Sequence, residues 1–165
     1  MQNKPVRRLV TAGLLAGLVL GATLIRVVPS DKAYFNLGEA VIYAIALVFG
    51  RWYAGAAGAV GSALADLVSG YGVWAPITFI IKGVEGYVVG TLAQGGGRAR
   101  TAIALLAGAG ILIGGYVTAA YLMYGIGAVA TELVVDLLQA AAGIVIGLFL
   151  AEALKRAAPW LGGRD

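Results

Sequence analysis

Six apolar segments follow one another along the chain, separated only by short polar or glycine-rich stretches. The hydrocarbon core of a bilayer is about 30 Å thick, and a helix needs about 20 mostly apolar residues to cross it. With 61% hydrophobic residues and a mean hydropathy of +0.91, residues 1–165 are predicted to form one all-α domain, an integral membrane bundle of six transmembrane helices. The expected spans are about residues 8–28, 37–50, 54–69, 76–94, 101–124 and 128–154.

The distribution of lysine and arginine predicts the orientation of this bundle. With six spans both termini lie on one side, and that side carries nine basic residues, which are Lys4, Arg7, Arg8, Arg51, Arg98, Arg100, Lys155, Arg156 and Arg164. The other side carries two, Arg26 and Lys32. Because basic loops stay in the cytoplasm, both termini are predicted to be cytoplasmic. The net charge of +4 follows from this topology, and no nucleic-acid partner is expected.

The chain contains no cysteine and no histidine. This excludes disulfides, thiolate nucleophiles, metal or haem sites built on imidazole, and Ser-His catalysis. Paired carboxylates remain, but nothing in the sequence supplies an evident nucleophile or metal site beside them. We therefore expect neither an enzyme nor a bound cofactor or metal.

Ionisable residues inside the apolar segments point to a binding site. A charge at membrane depth costs about 2.5 to 3.5 kcal/mol and normally faces a partner or a wet cavity. Lys82 and Glu85 are i,i+3 neighbours on one helix face, and Glu132, Asp136 and Gln139 form a second polar stripe. With the predicted topology these groups fall in the outer half of the membrane. The expected substrate-binding residues are Asn36, Glu39, Asp66, Tyr71, Trp74, Lys82, Glu85, Tyr121, Glu132, Asp136 and Gln139.

Each of these groups also has a structural interpretation. Lys82 and Glu85 can form a self-neutralising pair, and Asp66 can cap the turn that follows it. Glu39 lies near a helix start, where the macrodipole favours a carboxylate. The aromatic residues can belong to an interfacial belt.

The balance of charge around this predicted pocket indicates the class of ligand. Six acids, Asp31, Glu39, Asp66, Glu85, Glu132 and Asp136, surround it, against three bases, Arg26, Lys32 and Lys82. This excess of acid disfavours a strongly anionic ligand. A neutral or cationic heterocycle that stacks on aromatic rings suits the pocket better.

Three stretches of the sequence resemble a known family. They are "FNLGEAVIYAIALVFG", "GSALADLVSGYGVWAPITFIIKGVEGYVVG" and "ELVVDLLQAAAGIVIG". They are similar to the substrate-binding S components of energy-coupling factor (ECF) vitamin transporters of the riboflavin and hydroxymethylpyrimidine type. The resemblance covers about residues 9–155, and its most specific part is the Ala-Asp-Leu, Gly-Tyr, Ala-Pro, Lys-Gly, Glu-Gly series between Ala65 and Gly86. One departure is Asp136, where the family pattern leads us to expect an asparagine.

The resemblance implies a multi-pass protein of the prokaryotic plasma membrane that captures a vitamin or vitamin precursor at the extracellular face. It implies a ligand site covered by the first extracellular loop, at Pro29–Asn36. It also implies docking on a transmembrane T subunit, which couples to two cytoplasmic ATPases. The docking pattern Ala-x-x-x-Ala of the first helix is present as Ala12 and Ala16, which ordinary packing of small residues within the bundle would also explain.

Two other functions fit the same residues. A solitary proton-coupled carrier would use Glu85 or Asp136 as a proton relay. A non-transporting membrane scaffold would keep the bundle and need no ligand. The sequence has no Gly-x-x-x-x-Gly-Lys-Ser/Thr phosphate loop, so hydrolysis of ATP by that route needs a partner.

Overall fold

The computed structural model describes residues 4–30 and 33–158, a range that leaves out Asp31, Lys32 and Arg164. Within that range the elements are α1 (Lys4–Leu24), β1 (Arg26–Ser30), β2 (Ala33–Asn36), α2 (Gly38–Phe49), α3 (Arg51–Val68), α4 (Ala75–Leu92), α5 (Arg98–Tyr124) and α6 (Ile126–Ala157). The predicted fold class, an all-α bundle of six helices, is confirmed. The orientation of the termini remains a prediction.

The helices form a closed ring in the order α1, α3, α4, α5, α6 and α2. Helix α2 also contacts α3 and α4, and its side chains Ile42 and Tyr43 lie in the main apolar core with Val19 of α1, Val89 of α4 and Leu105 of α5. Helices α1, α4, α5 and α6 are long and apolar enough to cross a membrane. Helix α2 has 12 residues and is about 18 Å long, which is shorter than the hydrocarbon core of a bilayer, and nine of its residues are buried.

Close approaches at glycine position the polar part of the bundle. A Cβ atom added at Gly58 of α3 would lie 2.8 Å from the carbonyl oxygen of Lys82 in α4. One added at Gly143 of α6 would lie 2.6 Å from Cγ of Glu39 in α2. Because neither contact leaves room for a side chain, glycine at these two positions lets α3 and α6 pack directly against the residues that carry the charges.

A single glycine connects α2 to α3. Gly50 has a φ of 84°, a left-handed conformation that glycine adopts without steric cost. The chain can therefore reverse direction within one residue. As a result, Arg51 begins α3 at the end of the bundle where α2 finishes.

The first predicted span ends earlier than expected. Helix α1 stops at Leu24, four residues before the predicted limit, and the chain continues into an antiparallel hairpin. Strand β1 pairs with β2 in a register that places Arg26 opposite Asn36 and Val27 opposite Phe35. The β-branched pair Val27 and Val28 favours a strand over a helix, which gives a physical reason for the earlier end of α1. The hairpin was not predicted.

Candidate functional site

Two helices, α2 and α4, bring together a buried ion-pair cluster. Lys82 of α4 lies between Glu39 of α2 and Glu85 of α4, and its Nζ donates to Oε2 of each, at 3.3 Å in the case of Glu85. Glu85 has no exposed surface, and Lys82 and Glu39 are almost completely buried. The pair within α4 was expected, but its third member on α2 fixes the cluster between two helices.

Tyr43 belongs to this cluster and was not predicted. Its hydroxyl donates a hydrogen bond of 2.9 Å to Oε1 of Glu85. Tyr43 follows Glu39 by four residues, so the two side chains share one face of α2. That spacing is the sequence signal that could have identified it.

Gln139 of α6 links the cluster to the hairpin. Its Oε1 accepts hydrogen bonds from the backbone N–H of Asn36 at 3.0 Å and from Nδ2 of Asn36 at 2.9 Å. Its Nε2 lies 3.4 Å from Oε2 of Glu39, to which it donates. Asn36 in turn accepts from the backbone N–H of Gly38 at the start of α2. The structure therefore places Asn36, Glu39 and Gln139 in one network.

Helix α6 adds two further buried acids, Glu132 and Asp136. The carboxylate of Asp136 interacts electrostatically with Glu132, Lys82 and Glu39. One oxygen each of Glu132, Asp136 and Glu39 is buried and has no hydrogen-bond partner among the described residues. Buried carboxylate oxygens are normally paired, so these three acceptors are free to receive donors from a bound molecule.

Asp66 reaches the cluster from α3. Its side chain is buried and interacts electrostatically with Tyr116 of α5. The backbone carbonyl of Asp66 accepts from the N–H groups of Ser69 and Tyr71, which closes the end of α3. The backbone of Asp66 therefore serves the turn that the sequence suggested, while its carboxylate is buried inside the bundle.

Aromatic side chains form one wall beside these charges. Nζ of Lys82 lies 5.4 Å from the ring centre of Tyr116, whose hydroxyl donates to Thr78 at 3.1 Å. The ring of Trp74 is 5.9 Å from Tyr116 and 6.1 Å from Tyr124, and its Nε1 donates to the Tyr124 hydroxyl at 3.3 Å. These rings make an apolar surface against which a flat heterocycle can stack.

Two predicted aromatic residues lie outside this wall or at its edge. Tyr121 is 53% exposed, and it is five residues from Tyr116, which places the two on different faces of α5. The structure therefore brings Tyr116 and Tyr124 to Trp74 and leaves Tyr121 outward. Tyr71 packs under the guanidinium of Arg26, 5.3 Å from its ring centre, where the hairpin meets the turn after α3.

The polar side chains that converge here are called the acidic cluster below. Its members are Asn36, Glu39, Tyr43, Asp66, Lys82, Glu85, Tyr116, Glu132, Asp136 and Gln139. It holds five carboxylates and one ammonium group. Among the described residues no group of three or more acidic side chains is arranged to hold a metal ion. The arrangement can bind a molecule that donates several hydrogen bonds or carries positive charge.

The two alanines predicted to dock a partner are less exposed than the neighbouring glycines of α1. Ala16 is only 9% exposed and packs on α3, where a Cβ at Gly61 would meet its carbonyl oxygen. Ala12 is partly buried. The outward face of α1 instead carries Gly13 and Gly17, next to which a Cβ atom would find open space.

Comparisons with known proteins identify the family. Residues 3–156 match the family described as ECF-type riboflavin transporter, S component. An uncharacterised protein from Pyrococcus woesei is 40% identical over 135 residues, which cover 81% of this chain and 90% of that protein. The thiamine precursor transporter HmpT of Lactococcus lactis subsp. cremoris (strain MG1363) is 27% identical over 159 residues, which cover 94% of this chain and 92% of the transporter.

This family consists of transporter components and is not a class of enzymes. The match extends over nearly the whole chain and confirms the resemblance noted from the sequence. The expectation of a multi-pass membrane protein with a role in uptake of a vitamin or vitamin precursor agrees with the family and with the four long apolar helices. The chain belongs to the family of ECF-type riboflavin transporter S components.

Proposed function

We propose that this protein is the substrate-binding subunit of an ECF-type ABC transporter and that the acidic cluster is its ligand site. The observation that carries the proposal is the set of three buried carboxylate oxygens, on Glu39, Glu132 and Asp136, that have no hydrogen-bond partner in the part of the chain that the structure describes. A scaffold has no need to bury unpaired acceptors, because each one reduces its stability. In a binding protein, hydrogen bonds from the bound ligand offset this loss of stability.

The ligand is a vitamin or vitamin precursor built on a nitrogen heterocycle that is neutral or positively charged. Exocyclic amino groups and ring N–H groups would donate to Glu132 and Asp136, while the ring would stack on Trp74 or Tyr116. Hydroxymethylpyrimidine and thiamine-like compounds have this chemistry, and the relative named for a thiamine precursor supports the choice. The family description supports riboflavin as the second candidate.

The proposed topology places this site toward the outside of the cell. Helices α2, α4 and α6 run in the same direction, and the cluster lies near the start of α2 and in the first half of α6. With cytoplasmic termini, these regions face outward in the plasma membrane. The hairpin at Arg26–Asn36 then covers the site from the extracellular side, and residues 1–165 act as one membrane domain.

Ligand identification is the direct test of this function. Native mass spectrometry of the detergent-purified protein should detect a co-purifying heterocycle. Titration with hydroxymethylpyrimidine, thiamine and riboflavin should quench tryptophan fluorescence, because Trp74 lies beside the cluster. A Trp74→Phe variant is the matched control, since it should lose most of the quenching while Trp52, which pairs with Tyr87, still emits. Absence of binding to any of the three compounds, together with a stable membrane partner, would support the scaffold function instead.

Coupling to partner ATPases can be separated from proton coupling by uptake measurements. We propose that the protein works with a transmembrane T subunit and two cytoplasmic ATPase subunits in the plasma membrane, as the family implies. Uptake of the identified ligand should then stop when the ATPase subunits are deleted. Uptake that persists without them and is abolished by an uncoupler would identify a solitary proton-coupled carrier.

The docking face for the T subunit is predicted to be the outward side of α1 around Gly13 and Gly17. Small residues allow close approach of helices in lipid, and these two are open while Ala16 is occupied by α3. Gly17→Leu should weaken co-purification with the T subunit by roughly tenfold, since overpacking a helix interface costs about 1 to 3 kcal/mol. Ligand affinity of the isolated protein should not change.

A matched control is available on α5. Gly110 also has open space around it, so Gly110→Leu adds the same bulk to a different outward helix face. It should leave the complex intact. Ala16→Leu should instead lower the stability of the isolated protein, because its side chain faces α3. Equal loss of the complex in Gly17→Leu and Gly110→Leu would exclude α1 as the specific docking helix.

A further inference from the structure

A large cavity lies at the end of the bundle opposite the acidic cluster. Its volume is about 1610 Å³, and it extends along the last turns of α2, α4 and α6 and the first turns of α1, α3 and α5. It shares none of its lining residues with the acidic cluster. An inference about this cavity therefore does not depend on the proposed function.

The cavity has a strongly positive lining. Four helices each contribute one basic side chain, from Arg8, Arg51, Arg98 and Lys155. Glu152 is the acidic residue among the lining side chains. Four like charges around one opening repel each other, and this repulsion is relieved when an anion enters.

Arg51 lies against two aromatic rings, and one of its N–H donors has no partner among the described residues. Its guanidinium lies 5.7 Å from the ring centre of Trp52 and 5.8 Å from that of Tyr87, so two aromatic rings fix its position. Its Nε atom is buried and has no hydrogen-bond partner among the described residues. A buried guanidinium N–H normally has an acceptor, so this donor points to an anionic ligand.

The backbone around the cavity also favours an anion. Helices α3 and α5 both begin here, after Gly50 and Gly97, and neither start has a side-chain cap. Uncapped N-terminal N–H groups and the positive end of the helix dipole attract negative charge.

Part of the remaining wall is apolar and reaches the outside of the bundle. Leu105, Leu106, Ile144 and Leu148 line the cavity, and Leu106 is 67% exposed on the outside of the bundle. A free inorganic anion has no apolar part that could contact this wall, whereas an acyl chain can pack along it. We propose that this cavity binds an anionic phospholipid, with the phosphate between Arg51 and Arg98 and an acyl chain along α5 and α6.

Native mass spectrometry of the detergent-purified, full-length protein tests this assignment with dioleoyl-phosphatidylglycerol, dioleoyl-phosphatidylcholine and inorganic phosphate. Phosphatidylglycerol should bind at least about fivefold more tightly than phosphatidylcholine, and inorganic phosphate should not compete at equal concentration. Arg51→Gln and Arg98→Gln should each weaken the binding of phosphatidylglycerol by about fivefold, the factor that corresponds to about 1 kcal/mol per basic residue. Glu152→Gln should strengthen the binding of this lipid, because it removes a negative charge from the lining.

Arg156→Gln is the matched control, because Arg156 is at the same end of α6 and does not line the cavity. It should leave phosphatidylglycerol binding within about twofold of the wild type, well inside the effect of one lost contact. Arg51→Gln and Arg98→Gln test the same site independently, so a folding defect in one variant still leaves the other to measure lipid binding. Equal binding of the two lipids, an equal loss in Arg156→Gln and Arg51→Gln, or full competition by inorganic phosphate would each overturn the assignment.

Discussion

Lys82→Met is expected to lower the free energy of unfolding by about 3 to 5 kcal/mol, the usual cost of removing one partner from a buried ion pair. The ammonium group of Lys82 neutralises Glu39 and Glu85 together, and all three side chains are buried. Without it two carboxylates face each other in the interior of the bundle. The measurement is the midpoint of SDS-induced unfolding, followed by the helical circular dichroism signal.

Two further variants show whether the loss comes from the charges. Arg156→Met removes an exposed basic side chain at the end of the bundle, outside the cavity, and should change stability by less than about 0.5 kcal/mol. Adding Glu39→Gln to Lys82→Met should recover part of the lost stability, because it removes one of the uncompensated charges. If Lys82→Met unfolds at the same midpoint as Arg156→Met, the ion pair does not hold α2 to α4.

Asp136→Asn should weaken ligand binding by about 10-fold to 150-fold, the range that corresponds to loss of a charged hydrogen bond worth about 1.5 to 3 kcal/mol. Asp136 has a buried oxygen without a partner among the described residues, so this acceptor is available to the ligand. The measurement is the dissociation constant of the identified ligand, from tryptophan fluorescence.

The same substitution should leave the stability of the unliganded protein unchanged or slightly higher. Asparagine keeps the shape of the side chain and removes a buried charge, which is costly inside a membrane. Glu152→Gln, which neutralises an exposed acid further along α6, serves as the control and should bind the ligand normally. A variant that loses stability and affinity together would indicate a structural role for Asp136.

Hydropathy and helical spacing were sufficient to predict the six-helix bundle and its two polar stripes. The i,i+3 relation of Lys82 and Glu85 depends only on local helix geometry, and so does the stripe from Glu132 to Gln139. Both stripes lie on buried faces in the structure. Local geometry therefore predicted which face of each single helix is polar.

Contacts between helices could not be predicted from hydropathy and helical spacing. The contact of Lys82 with Glu39 depends on how α2 and α4 are placed in the bundle, and close glycine contacts of α3 with α4 and of α6 with α2 contribute to that placement. The choice between Tyr116 and Tyr121 depends on the rotation of α5 about its axis. The apolar pattern of that helix has no polar face to define this rotation. For the same reason, the sequence could not tell whether Ala16 faces outward or toward α3.

The double role of Gln139 links two events that are separate along the chain. One amide group holds the hairpin through Asn36 and contacts Glu39 in the proposed ligand site. A ligand of the proposed site that shifts Glu39 would therefore also act on the two hydrogen bonds between Asn36 and Gln139. Such linkage is reciprocal: if occupancy favours one position of the hairpin, that position strengthens occupancy by the same factor. Gln139 would thus couple binding at the proposed site to the position of the hairpin.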